Sequence, residues 1–269
     1  LSDSRVVIVT GATSGLGKAM ALALLEAGHR VVAFSRTQSA VDEFVAAAAN
    51  RWPDGRAYGV VGSVRSADDC ERAVQCTIER YGAIDGVVNN AGVHLPTSGR
   101  RPTFYELSEE QWRAIVETHL TGAFLMARAV APHLIARGWG RIVNHETNYD
   151  TMVRPGFTPY GAAKAGLDAA TVGWAEELHE SGVTVNAILP GGVADVPRIS
   201  PQAFPDREKL VKPQTMGPPI VWLFSRRSDG FSGYRITARL WDPAAADEQN
   251  LRLAATRIAE RYARSFAAR

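Results

Sequence analysis

The sequence predicts a doubly wound α/β fold: a mostly parallel, seven-stranded sheet with helices on both faces. Strand-like and helix-like patterns alternate along its 269 residues. A glycine-rich turn, Thr10-Gly11-Ala12-Thr13-Ser14-Gly15-Leu16-Gly17, joins the first strand to the first helix. Tyr160 and Lys164 follow about 150 residues later, four apart on one helical stretch.

Residues 5–10, β-branched from Val6 on, are too few for a helix, so they read as a buried strand. A helix over 15–27 follows, closed by Gly28. Residues 30–35 form the second strand, 41–51 a helix, 56–62 the third strand, 66–81 a helix and 84–89 the fourth strand. Ser108-Glu109-Glu110-Gln111 reads as a capping box that starts one long helix reaching about residue 137. Strand five covers 140–145, the next helix 158–181, strand six 183–189 and a short strand seven 234–238. Residues 191–213 are rich in Pro and Gly and follow a strand end, which predicts a mobile flap. Residues 243–269 predict a helical extension, with Leu251, Ala255, Ile258, Tyr262 and Phe266 in one apolar stripe. One domain is expected, with 1–242 as its body and 243–269 as that extension.

Composition narrows the function classes. The chain is 46% hydrophobic and 22% charged, as ordinary globular proteins are. A net charge of +2 gives no reason to expect nucleic acid or an anionic membrane as partner. No apolar run approaches the roughly 20 residues of a bilayer span. The first apolar stretch is too short for a signal peptide, and Leu1 implies a start that is trimmed or lies upstream. Cys70 and Cys76 are six apart and do not share a helix face, so neither a disulfide nor a metal site is expected, and the chain reads as cytoplasmic.

The glycine turn suits a dinucleotide. Glycines let a pyrophosphate approach the backbone, and the helix N-terminus presents free N–H groups to it. At the end of the second strand an acid would select the ribose hydroxyl of NAD(H). Here Ser35-Arg36 stands instead, and a guanidinium matches a 2′-phosphate, so NADP(H) is favoured over NAD(H). Tyr160 and Lys164 share a face, so the ammonium can favour the phenolate and make the tyrosine an acid–base at neutral pH.

With these motifs assembled, the chain resembles the short-chain dehydrogenase/reductase family over residues 5–242. Further carriers are Asn89-Asn90-Ala91-Gly92, Gly140-Arg141-Ile142-Val143-Asn144 and Asn186-Ala187-Ile188-Leu189-Pro190-Gly191. The resemblance implies a Rossmann-type domain, a nicotinamide cofactor, and a homo-oligomer, dimer or tetramer. It implies that Tyr160 transfers the proton while Lys164 also holds a ribose hydroxyl. It places Asn90, Ala91 and Gly92 beside the cofactor, and Pro190 and Gly191 at the turn flanking the nicotinamide, with Val193 binding its carboxamide through the backbone.

The chain departs from the family pattern at several positions. A hydroxyl is expected 13 residues before the tyrosine, where Thr147 replaces the usual Ser and keeps the donor. His119 stands where the long helix usually carries an Asn that holds a relay water. Ser63, followed by Val64, takes the place of an adenine-contacting Asp, and Asp195 that of a Thr after the Pro-Gly turn. His145 and Glu146 precede Thr147, and Glu146 is expected to lie behind the site or at the surface.

The expected activity is hydride exchange between NADP(H) and a carbonyl or alcohol carbon of a medium-sized organic substrate. The alternative is an isomerase, lyase or dehydratase that retains the cofactor. A non-catalytic cofactor-binding regulator is a third reading, disfavoured because a sensor has no use for a proton donor.

Overall fold

In the computed structural model, which describes residues 4–95, 101–197, 199, 204–260 and 262, eight strands form one sheet. They are β1 (Val6–Thr10), β2 (Arg30–Ser35), β3 (Ala57–Val61), β4 (Gly86–Asn89), β5 (Gly140–His145), β6 (Val183–Leu189), β7 (Tyr234–Thr237) and β8 (Ala255–Arg257). Their order is β3-β2-β1-β4-β5-β6-β7-β8. β1 pairs in parallel with β2 on one side and β4 on the other, so the direction of winding reverses there. Such a reversal opens a crevice at the carboxyl ends of the strands, where ligands of these sheets bind.

Helices α1 (Gly15–Glu26), α2 (Gln38–Arg51) and α8 (Gly217–Leu223) cover one face. Helices α3 (Ala67–Tyr81), α5 (Gly122–Arg137) and α7 (Tyr160–Glu177) cover the other. The two-residue period of a strand sorts the core between them. Val7 and Val9 join one apolar cluster with Met20 and Leu24, whereas Ile8 joins the opposite one with Met126 and Val130.

Three differences from the expected pattern matter. The long helix is broken into α4 (Glu109–Val116) and α5 by a π turn over Glu117–Thr121. There the Gly122 N–H donates to the Glu117 carbonyl, five residues back. Apolar periodicity runs through both halves and does not register one inserted residue. The capping box itself forms, with Gln111 N–H donating to Ser108 Oγ at 3.2 Å and Ser108 N–H to Gln111 Oε1 at 2.9 Å.

The expected C-terminal helix is interrupted as well. Helix α9 (Asp247–Ala254) gives way to β8, which pairs antiparallel with β7 and makes the eighth strand. Ile258 of the predicted stripe is fully buried, and Phe266 lies outside the described residues. The third difference is α8, whose start carries Pro218 and Pro219 in the first helical turn, where the missing N–H costs nothing. Helix α6 (Tyr149–Met152) is a single turn leaving β5.

Candidate active site

The glycine turn packs against the end of β4. Asn90 Nδ2 donates to the Thr10 carbonyl at 3.0 Å and the Gly11 carbonyl at 3.3 Å. The backbone N–H groups of Asn90 and Ala91 both donate to Thr10 Oγ1 at 2.9 Å. A Cβ at Gly17 would stand 2.2 Å from Asn90 Nδ2 and 2.3 Å from the Gly11 carbonyl oxygen, so only glycine permits this closure. Asn90 thereby holds the turn in the shape that leaves α1's first N–H groups facing the crevice.

That crevice is a cavity of about 380 Å³. Gly11, Thr13, Ser14, Gly15, Leu16 and Gly17 form its floor, and Ser35 and Arg36 its far end. Ser63, Val64, Asn90, Ala91 and Gly92 form the wall toward β3 and β4. Thr13 and Ser35 join their hydroxyls at 3.2 Å across it. No Asp stands at position 63, but Asp69, in the first turn of α3, accepts from the Ser63 N–H at 3.0 Å. That bond, followed by the Arg72 guanidinium, holds the Asp69 carboxyl below its usual range. A cleft lined by this glycine turn at the N-terminus of α1 fits a dinucleotide.

A second cavity, of about 280 Å³, adjoins the first. Leu16, His94, His145 and Tyr160 line both, so half-buried Tyr160 stands at their junction. Thr147, Asn148, Phe157, Phe204, Pro190 and Val193 line the second cavity only. Gly191 lines neither cavity. It lies behind the wall, where a Cβ would meet Thr237 and Arg239.

Lys164 is 2% exposed and lies behind Tyr160, its Nζ donating to the His145 carbonyl. It lines a void of about 10 Å³ together with Thr10, Asn89, Thr118 and His119, at the lower limit for one water. His119 reaches this place because the π turn carries it inward. Its ring stands edge-on to Tyr160 with centroids 5.1 Å apart, and His94 completes a three-ring group at 5.7 and 5.9 Å. His119 Nε2 lies 2.8 Å from the Val93 carbonyl oxygen and 3.2 Å from the Val93 nitrogen, so its tautomer decides whether it donates or accepts.

Asp195 accepts from Arg207 and, at 3.0 Å, from Lys212. The Asp195 N–H donates to the Val211 carbonyl at 2.9 Å, and Val211 N–H to the Val193 carbonyl at 2.9 Å. Asp195 therefore closes the base of the segment expected to be a flap. The Lys212 hydrogen bond leads in holding its carboxyl below the usual range.

Glu146 is fully buried at 0% exposure, which excludes the surface placement entertained above. Burial pushes its carboxyl up to about 8, against the pull of Lys164 and Arg235. Arg235 and Asp168, which sequence reasoning did not single out, form a buried ion pair beside it. Asp168 was findable, since Tyr160, Lys164 and Asp168 recur at four-residue steps on one helix stripe. Arg235 was not, because only the sheet brings β7 to the end of β5.

Residues 5–202 match the family model described as short chain dehydrogenase. The chain is 37% identical over 192 residues to a 3-oxoacyl-[acyl-carrier-protein] reductase of Synechocystis, covering 71% of this chain and 75% of that protein. It is 33% identical over 189 residues to the enzyme of the same name from Thermotoga maritima, covering 70% and 74%. Among solved structures, a variant of actinorhodin polyketide ketoreductase crystallised with NADPH superposes with a TM-score of 0.74. The two chains are 31% identical, with 85% of this chain and 93% of that one covered.

Proposed function

The chain belongs to the short-chain dehydrogenase family and is an NAD(P)-dependent oxidoreductase of the ketoreductase type; we propose that it uses NADP(H) to interconvert a carbonyl and an alcohol, with Tyr160 as the proton donor and acceptor. The observation that carries this reading is the position of Tyr160, shared by the dinucleotide-sized cleft and the neighbouring cavity.

A nicotinamide dinucleotide bound in the cleft supplies or takes up hydride. Tyr160 gives its phenolic proton to the substrate oxygen in reduction and takes it back in oxidation. Thr147 donates its hydroxyl to the same oxygen and orients the carbonyl. Lys164 favours the phenolate by its charge and would also hold a ribose hydroxyl of the cofactor. His119 holds a water beside Lys164 in the small void between them, in the role the Asn plays elsewhere in the family. Arg36 and Ser35 receive the 2′-phosphate, which is the basis for preferring NADP(H). Pro190 and Val193, which line the second cavity beside Tyr160, would hold the nicotinamide end of the cofactor, with Gly191 in the backbone behind them.

The substrate is a medium-sized, partly apolar ketone or its alcohol. Support comes from the second cavity, where Phe157, Phe204 and Val193 supply apolar wall and Asn148 and Thr151 polar points. The relatives' names add 3-oxoacyl thioesters to the candidates. Assembly as a dimer or tetramer belongs to the same reading, supported by Phe124 and Ile135, which stand 44% and 46% exposed on α5.

The test is a panel of ketones and 3-oxoacyl thioesters with NADPH and NADH, followed at the nicotinamide absorbance. Turnover with NADPH is expected, and Tyr160→Phe should lower kcat by roughly 10²- to 10⁴-fold while cofactor affinity changes little. Conversion of substrate without net NADPH change would instead favour the isomerase or lyase reading, which the reductase relatives disfavour.

A further inference from the structure

At its last residue and the two that follow, β5 delivers three consecutive positions to different surroundings. The His145 carbonyl receives the Lys164 ammonium. The Thr147 carbonyl receives one nitrogen of the Arg235 guanidinium. Between these two cation-bound carbonyls the Glu146 side chain turns into the protein. Arg235 spends its other terminal nitrogen on Asp168 and lies with its guanidinium carbon 4.0 Å from the Tyr149 ring centre.

The groups acting on Glu146 are thus Lys164 and Asp168 from α7, Arg235 from β7 and the Thr147 backbone from its own strand end. Tyr149 of α6 flanks Arg235 on the other side. Among the described residues, Glu146 Oε2 accepts only from the neighbouring Thr147 N–H, at 3.3 Å, and Oε1 is buried without a hydrogen-bond partner. Asp168 already matches Arg235. A second ionised carboxylate here would lack hydrogen bonds, so the neutral acid is the form this cavity wall accommodates.

We propose that Glu146 is a positioning residue for the Tyr160–Lys164 pair. Its buried carboxyl, backed by the Asp168–Arg235 ion pair, decides how strongly the Lys164 charge is felt at the tyrosine hydroxyl. It thereby decides at what pH that hydroxyl exchanges its proton. The proposal rests on the reading of Tyr160 as the acid–base.

The reasoning is electrostatic. While Glu146 keeps its proton, the Lys164 charge acts undiminished and favours the phenolate. When Glu146 ionises, its negative charge offsets that of Lys164, and the tyrosine holds its proton to higher pH. The two groups then titrate as one coupled system rather than separately. Burial, which pushes the Glu146 carboxyl up to about 8, brings this change to just above neutral pH.

Two measurements test it. The pH profile of kcat/KM for alcohol oxidation is compared between the natural protein and Glu146→Gln, which keeps the shape of the neutral acid. The natural protein should climb through two overlapping ionisations. The variant should lose one of these, with its midpoint about half a pH unit or more lower, while His94 and His119, which face Tyr160, are common to both proteins and drop out of the comparison. A uniform loss at every pH, or an unchanged profile, would mean that Glu146 serves packing alone and would overturn the proposal.

The second measurement is an infrared titration of the unmodified protein without substrate. A carbonyl stretch from a protonated, buried carboxylic acid should be present near neutrality and fade as the pH rises through about 8. Its absence at neutral pH would sink the proposal even if Glu146→Gln failed to fold. This titration needs no turnover, so a Tyr160→Phe variant that stayed active would strike the functional reading without touching the infrared result.

Discussion

Around Tyr160 the departures from the family pattern fall at positions where a different side chain supplies the same kind of group. Thr147 keeps a hydroxyl among the residues of the second cavity, and His119 lines the small void beside Lys164. Asp69 gives the backbone at Ser63 the carboxylate partner that position 63 lacks. Arg36 is the residue whose effect is simplest to isolate, because it lines the cleft from an exposed loop and carries no core packing. Arg36→Ala should lower kcat/KM for NADPH by about 10- to 100-fold, the worth of one charge-assisted hydrogen-bond pair. NADH turnover should stay within about twofold. Steady-state kinetics with both cofactors check this, and equal losses for the two would show that Arg36 does not read the phosphate.

At the scale of elements, two devices shape the site. The π turn adds one residue between α4 and α5 and swings His119 to 5.1 Å from Tyr160. Such turns concentrate at functional positions because an uninterrupted helix aims the same residue elsewhere. The second device is the closure between Val193 and Val211, tied by Asp195 to Arg207 and Lys212. Asp195→Asn removes the charge and keeps the shape. The Asp195 and Val211 amides should then exchange with deuterium about threefold to fivefold faster, in keeping with a partly exposed ion pair. KM for substrate should rise while kcat holds. Unchanged exchange would mean that the backbone bonds alone close the segment.

For the whole molecule, burying Glu146 has a cost that depends on pH. Burial pushes its folded-state carboxyl up to about 8, above the roughly 4.5 of an exposed glutamate. Between those values the folded protein binds more protons than the unfolded one. The stability Glu146 contributes is therefore full below about 4.5 and is lost as the pH rises through about 8. Urea unfolding of the natural protein and of Glu146→Gln between pH 5 and roughly 9 should show this. The natural protein should weaken relative to the variant as pH rises, by on the order of a few kcal/mol. A constant difference across the range would place no proton on Glu146 in the folded state.

The sequence alone determined the alternation of strands and helices from residue 5 to 189, apart from the break in the long helix, and the glycine turn, Ser35, Arg36 and Tyr160 that line the first cleft. Both are written in local signals. Short apolar runs such as 30–35 and 183–189 coincide with β2 and β6, and the glycines after β1 mark where backbone must come close. Tyr160 and Lys164 were legible because helical spacing puts them on one face. Tertiary structure decided what local patterns cannot encode. The π turn hides inside an apolar periodicity that is continuous on both sides. Strand β8 exists because β7 offers an open edge to residues 255–257, which read as helix in isolation. Glu146 and Arg235 lie 89 positions apart in the chain and share surroundings only because β5, β6 and β7 are neighbours in the sheet. Burial and charge pairing are properties of that assembled neighbourhood, which no window of sequence contains.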